Sequence, residues 1–288
     1  MLEANKAGAY MPTKIGILHT YFDPRTEAAL KYLVLQMNSV QKSFEFSFLP
    51  MRDDPFLLDL EAERPLDHML ITEGIPPFCA SYLSFLRDQG EAFGIVASTP
   101  DCIVILSRAR LSNRWYVMGD NNWALLALGE WEDVMAPPSF IEFSLALLVQ
   151  IGAYTACGEH SPRSHSETKG CLFDFTANLL EARFKALTGF LCSACTDTIR
   201  KARSEELVKD MRLLLERHWL GRSDDPQGVS NIARKLGFPL FSTNGLSPTF
   251  GERLRSSLEQ EGTKVILDLV KALLLASILL WLGLKGGS

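Results

Sequence analysis

Positive charge is scarce in this sequence. Lys and Arg number 29 against 34 Asp and Glu, which leaves a formal net charge of -5 and a pI near 5.6. A chain of that balance offers no broad basic face, so nucleic acid is not an expected partner. Cysteine is scarce too: six in 288 residues do not make a disulfide scaffold. The opening MLEANKAGAYMPTK lacks the apolar stretch of a secretory leader, and the expectation is a cytoplasmic, reducing setting. In that setting a C-x-x-C pair reads as metal-binding or redox-active before it reads as a bridge. There is no Walker-type phosphate loop, no G-x-G-x-x-G and no G-x-S-x-G elbow. Nucleotide binding and serine-hydrolase chemistry therefore have no motif behind them. What is present is a chain 47% hydrophobic and 22% charged, enough for a sizeable core.

The hydrophobic pattern orders the first half. KIGILHTY (14–21) alternates and reads as a strand. DPRTEAALKYLVLQMNSVQ opens with an Asp-Pro start signal and continues at helical spacing, and FEFSFLP (44–50) alternates until its proline. Strand, helix, strand in that order is the pattern of a βαβ unit. Residues 51–66 read as a loop or short helix, 67–74 as a strand, and 76–90 as a helix opened by proline and closed by Gly90. FGIVAS, CIVILS, WYVMGD and WALLALGEW read as further strands, some antiparallel. PPSFIEFSLALLVQIGAY (137–154) is apolar almost all round, the pattern of a helix buried on every side. Residues 197–221 read as one long amphipathic helix, and 222–263 as a polar linker with a short helix.

The tail is the most apolar segment. Residues 265–284 would form a helix of about 30 Å, the thickness of a bilayer core, although Asp268 and Lys271 fall inside it. Trp281 and Lys285 stand at its end as interfacial residues do. The segment reads as a membrane anchor or as a self-associating helix.

Chemistry concentrates between residues 157 and 195. Cys192 and Cys195 form a C-x-x-C knuckle, which presents two thiolates at once, and Cys171 lies 21 residues before it across an expected helix. Zinc takes four such donors in a tetrahedron. The fourth donor is open among His165, His160 and Cys157, which lie six, eleven and fourteen residues before Cys171. Cys79 and Cys102 sit in apolar runs and read as core thiols. Other polar candidates carry weaker signals: His19 and Asp23 at the end of the first strand, and Ser166, Thr168 and Lys169 in a polar turn. Trp123 and Trp131 read as core or edge aromatics.

CLFDFTANLLEARFKALTGFLCSAC (171–195) resembles the C-terminal cysteine block of the archaemetzincin metallopeptidases. Cys171, Phe175, Thr176 and Leu179 follow its outline, as does the spacing to Cys192. The resemblance implies a metzincin-like α/β (α+β) domain over 13–197, with a mixed sheet, a buried helix and a structural zinc knuckle, followed by a helical C-terminal region. It places the fourth ligand at Cys157, giving Cys157, Cys171, Cys192 and Cys195, with His165 and His160 as alternates. It also sets ALLVQIGAYTAC (146–157) on the catalytic stretch, where Ala146, Gln150 and Ala156 stand in place of three histidines and Leu147 in place of the general base. Phe173 stands where that family has its methionine, and no H-E-x-x-H occurs in the chain. Alanine cannot hold a cation and leucine cannot take a proton. In a second register Glu142 falls on the general-base position, a relic of catalysis.

The expectation is a zinc-containing protein without peptidase activity. It would bind, scaffold or sense, through a protein partner or self-association, within a multi-protein bacterial system. A divergent hydrolase using His160 and His165 with Glu159, and a membrane-tethered effector, are the competing expectations.

Overall fold

The computed structural model describes residues 11–236, except residues 21, 63, 96–97, 121, 130, 137, 167–169, 177–178 and 223–224. These residues fall in the first of the chain's two compact units, Met1–Leu240. The apolar segment 264–288 and most of the linker 222–263 lie outside the described residues.

The architecture is mixed α/β. Strands β1 (Thr13–His19), β2 (Phe44–Phe48), β3 (Cys102–Ser107), β4 (Val117–Asp120) and β5 (Trp123–Ala127) form one sheet in the order β2-β1-β3-β5-β4. All pairings are parallel except β4 with β5, which puts the antiparallel strand at an edge. Helix α1 (Pro24–Val40) links the neighbouring parallel strands β1 and β2, as the βαβ pattern requires.

Both faces of the sheet are covered. In β3 all six residues are buried, and they alternate. Cys102, Val104 and Leu106 face a core shared with Leu30, Leu33 and Met37 of α1 and with helix α4 (Phe140–Cys157). Ile103 and Ile105 face a second core with Leu57 of helix α2 (Pro55–Asp59) and with helix α3 (His68–Ala92). This is the continuous apolar run of a strand sandwiched between helices.

Helix α4 is the spine of the larger core. Its start is set by a capping box in which the Ser139 hydroxyl accepts from the Glu142 N–H and the Glu142 carboxylate accepts from the Ser139 N–H. Fifteen of its 18 residues are buried. Phe140–His160 is long and apolar enough to cross a membrane by length and composition alone, and 83% of its most apolar window is buried inside the domain. It has the burial of a core helix. At Gly152 the helix touches β2, since a Cβ there would stand 2.7 Å from the Phe44 ring.

Three expectations are corrected. Residues 67–74 are helical, because Asp67 caps Met69 N at 2.9 Å and Ile71, Ile75, Phe78, Cys79 and Tyr82 make one buried stripe at helical spacing. That stripe carries α3 through Pro76 and Pro77, so packing overrides the proline break. FGIVAS contributes no strand among the described residues: Phe93 closes α3. The long helix of 197–221 is two helices, α6 (Ser193–Ala202) and α7 (Glu205–Glu216), because Ser204 starts a new cap on Leu207 N. The last described helix is α8 (Val229–Lys235).

Helix α7 is tied to the sheet by Asp210, which is 8% exposed. One carboxylate oxygen accepts from Lys42 N at 3.0 Å, Ser43 N at 2.9 Å and the Ser43 hydroxyl at 2.6 Å. Asp210→Ala strips these donors, two of them buried, of their acceptor. The expected loss is about 2–3 kcal/mol in chemical denaturation, with zinc content unchanged. A loss under about 0.5 kcal/mol would mean that water replaces the carboxylate.

Candidate metal centre

Four side chains converge where the segment after α4 meets the start of helix α6. His165, Cys171, Cys192 and Cys195 offer ligand atoms that all lie within 4.8 Å of one another. His165 Nε2 is 3.2 Å from Cys195 Sγ and 3.5 Å from Cys192 Sγ. The three cysteines are buried, and the histidine side chain is 24% exposed. Three thiols and an imidazole are a donor set that suits a tetrahedral zinc ion.

The local sequence explains the convergence. Cys192 is the N-cap of α6, and its sulfur accepts from Cys195 N at 3.4 Å, the turn that a C-x-x-C pair makes at a helix start. Cys192 N in turn donates to Cys171 Sγ at 3.4 Å. Helix α5 (Leu179–Thr188) carries the chain out from Cys171 and back to the knuckle. Its return is fixed by Gly189 at φ +56°, where a Cβ would meet Leu215 O at 2.6 Å. Phe190 O then accepts from Leu172 N at 2.8 Å and pins the two cysteine segments together. A second bridge joins His165 to Asp174: His165 N donates to Phe173 O at 3.3 Å, and Phe175 N donates to His165 O at 2.6 Å.

Asp174 is the residue that sequence reasoning missed. It is 2% exposed, and its Oδ1 lies 2.7 Å from His165 Nδ1. Its Oδ2 accepts from Gly170 N and, at 3.0 Å, from Cys171 N. It thus fixes the histidine tautomer that leaves Nε2 free for a cation, and it positions the first cysteine. The signal available was an acid three residues after Cys171. Asp174→Asn is expected to weaken zinc about 10–100-fold in competition with a chromophoric chelator. Unchanged affinity would show that the bridge backbone alone orients His165.

The thiols influence one another. The Cys195 thiol hydrogen-bonds Cys171 and holds the latter's pKa down, while the same contact pushes Cys195 up from the ordinary thiol range. Thiols packed this closely suit a divalent ion, whose charge favours the thiolate form.

The other predicted residues lie elsewhere. Cys157, which the resemblance puts in the fourth place, ends α4 outside the cluster, and burial raises its thiol to about 11. The His165–Asp174 bridge brings His165 to that place instead. His160 and Glu159 are exposed on a 3-10 turn, Gly158–His160, and neither joins the cluster. Glu142 is 6% exposed and structural: beyond the capping box, it accepts from Arg217 at 2.8 Å. Ala146 and Gln150 are buried in α4, and Ala156 is partly buried. Asp23 caps α1, and His19 rests against Phe22 and Phe48 with Nδ1 2.9 Å from Thr20 O. Trp123 is core, and Trp131 donates to Pro138 O. Cys79 and Cys102 are buried thiols raised to about 12 and about 11 by desolvation. Ser166 is exposed, while Thr168 and Lys169 lie outside the described residues.

The described residues thus make a mixed α/β domain with a Cys3His cluster that can hold zinc. No family model and no curated protein matches the sequence. Solved structures do match. The archaemetzincin of Methanopyrus kandleri is 12% identical over 68% of this chain and 98% of its own, with a TM-score of 0.41. The archaemetzincin of Archaeoglobus fulgidus is 14% identical over 64% and 99%, with a TM-score of 0.39. A zinc-dependent peptidase of Methanocorpusculum labreanum is 12% identical over 64% and 99%, with a TM-score of 0.37. The first two carry the name of the family that the cysteine block resembles. At these values the likeness transfers no activity and no residue role.

Proposed function

We infer that this chain is a zinc protein whose metal is structural and whose domain works by binding a partner or ligand, without peptidase activity. The observation that carries the reading is the completeness of the donor set. A catalytic zinc keeps one coordination position open beside three protein ligands, with a base nearby. Here four protein donors converge, three of them buried thiols, and no other group of three such residues occurs among the described residues. Ala146, Gln150 and Ala156, which the resemblance sets on the histidine positions of a peptidase, add support.

Metal analysis of the purified chain tests this. One zinc per chain and no turnover of an unstructured protein substrate are expected. Two zinc ions, or hydrolysis that His160→Ala abolishes, would overturn the reading in favour of a hydrolase.

The apolar segment 265–284 supplies attachment, to a membrane or to a second copy. Deleting 264–288 then moves the chain from the membrane or oligomer fraction to a soluble monomer. Unchanged fractionation and unchanged mass would remove that part of the proposal.

A further inference from the structure

A cavity of about 660 Å³ shares the Asp174 wall of the metal centre, and its size lies within the ~300–1,000 Å³ range of small-molecule sites. Three of its lining residues carry a polar group that lacks the partner its burial calls for. Lys185, from α5, is 5% exposed, and its Nζ meets only the Tyr116 ring, 5.7 Å from the centroid, with no carboxylate partner among the described residues. Lysine is almost never buried unless paired, and a ring face replaces only part of its lost hydration. Asn113 Nδ2 is a buried donor without an acceptor, and Gln150 Oε1 is a buried acceptor without a donor. The remaining wall is apolar and open: Trp115, Phe175 and Leu180 are 52%, 57% and 49% exposed. Large apolar side chains half in solvent beside unpaired polar groups give the mixed lining of a small-molecule site.

We propose that this cavity binds a carboxylate joined to an apolar body, with a hydrogen-bond donor next to the carboxylate. The carboxylate meets Lys185 and Asn113 and the donor meets Gln150, the two amides turning their unpartnered ends into the cavity, and the body lies against Trp115, Phe175 and Leu180. An N-acylated apolar amino acid has all three features, and so does the C-terminal residue of an apolar peptide. The proposal rests on the reading of the domain as a binding domain and names what it binds.

The test is calorimetric titration of the full-length zinc-loaded protein with N-acetylphenylalanine, its amide and 3-phenylpropionate, with zinc content measured in every sample. The free acid should bind at least about tenfold more tightly than the amide. Lys185→Met should erase that difference, and Gln150→Leu should bring the acid to the level of 3-phenylpropionate, which lacks the N–H. The comparison of acid with amide on the unaltered chain needs no variant to fold. No saturable binding of the acid, or equal binding of acid and amide, overturns the proposal; with one zinc still present, the structural-zinc reading survives that result. A second zinc, or cleavage of an added peptide, overturns the structural-zinc reading instead. A tetrapeptide ending in phenylalanine then separates the two sources. Tighter binding than the free acid points to a peptide end, weaker binding to a small molecule, and either ordering supports the carboxylate site.

Discussion

Cys171→Ser should remove stoichiometric zinc and lower stability by more than about 5 kcal/mol, a large share of what a domain ordinarily has. Cys171 is fully buried and receives the Cys192 N–H on its sulfur. Its segment is held to the knuckle by the backbone bridge to Phe190 and by little else in regular structure. A metal joining His165, Cys171, Cys192 and Cys195 would therefore cross-link three stretches of chain that carry few backbone bonds to one another. Without it, buried thiols and a half-buried imidazole face each other with no compensating cation. The measurement is elemental zinc together with chemical denaturation. Cys157→Ser is the companion: its thiol lies outside the cluster, so zinc content should stay at the wild-type level. If Cys157→Ser loses the metal and Cys171→Ser keeps it, the cluster is not the zinc site.

Arg217→Met should cost about 3–5 kcal/mol, because it leaves a buried carboxylate without its cation. The Glu142 side chain is 4% exposed and that of Arg217 16%. Burial lowers the Arg217 pKa and the Glu142 charge opposes that shift, as in a desolvated pair. The pair joins the start of α4 to the end of α7, where Arg217 itself takes a left-handed conformation at φ +61°. Methionine keeps most of the apolar stem, so the loss measures the charge rather than the packing. Adding Glu142→Gln should recover most of it, since glutamine at that position still completes the capping box and carries no charge. If the double variant is no more stable than the single one, packing of the arginine stem is the larger contribution. Neither variant should change zinc content.

Legibility followed the range of the interaction. Strands β1, β2, β3 and β5 were readable because alternation and apolar runs are local and the sheet is buried on both faces. Helix α4 was readable because fifteen of its 18 residues are buried and so nearly all are apolar. The break between α6 and α7 was missed although Ser204 is a plain capping residue, because the amphipathic stripe runs on across it. The strand expected at 67–74 failed for the opposite reason: eight residues cannot separate alternation from helical spacing, and the stripe that decides it continues to Tyr82.

The metal centre divides the same way. By itself the sequence determined the knuckle, because a C-x-x-C turn brings two sulfurs together across two intervening residues. It also left Cys171 one helix away, close enough for that helix to return the chain. Only the tertiary structure decided the fourth place. Cys157 and His165 are both near in sequence, and the choice falls to His165 because its backbone bridges the Asp174 segment and its ring is held by a carboxylate 2% exposed. The Glu142–Arg217 pair and the cavity around Lys185 depend likewise on residues far apart in the chain. Spacing along a chain fixes which groups meet only across a turn or two; beyond that, the packing of whole elements decides it.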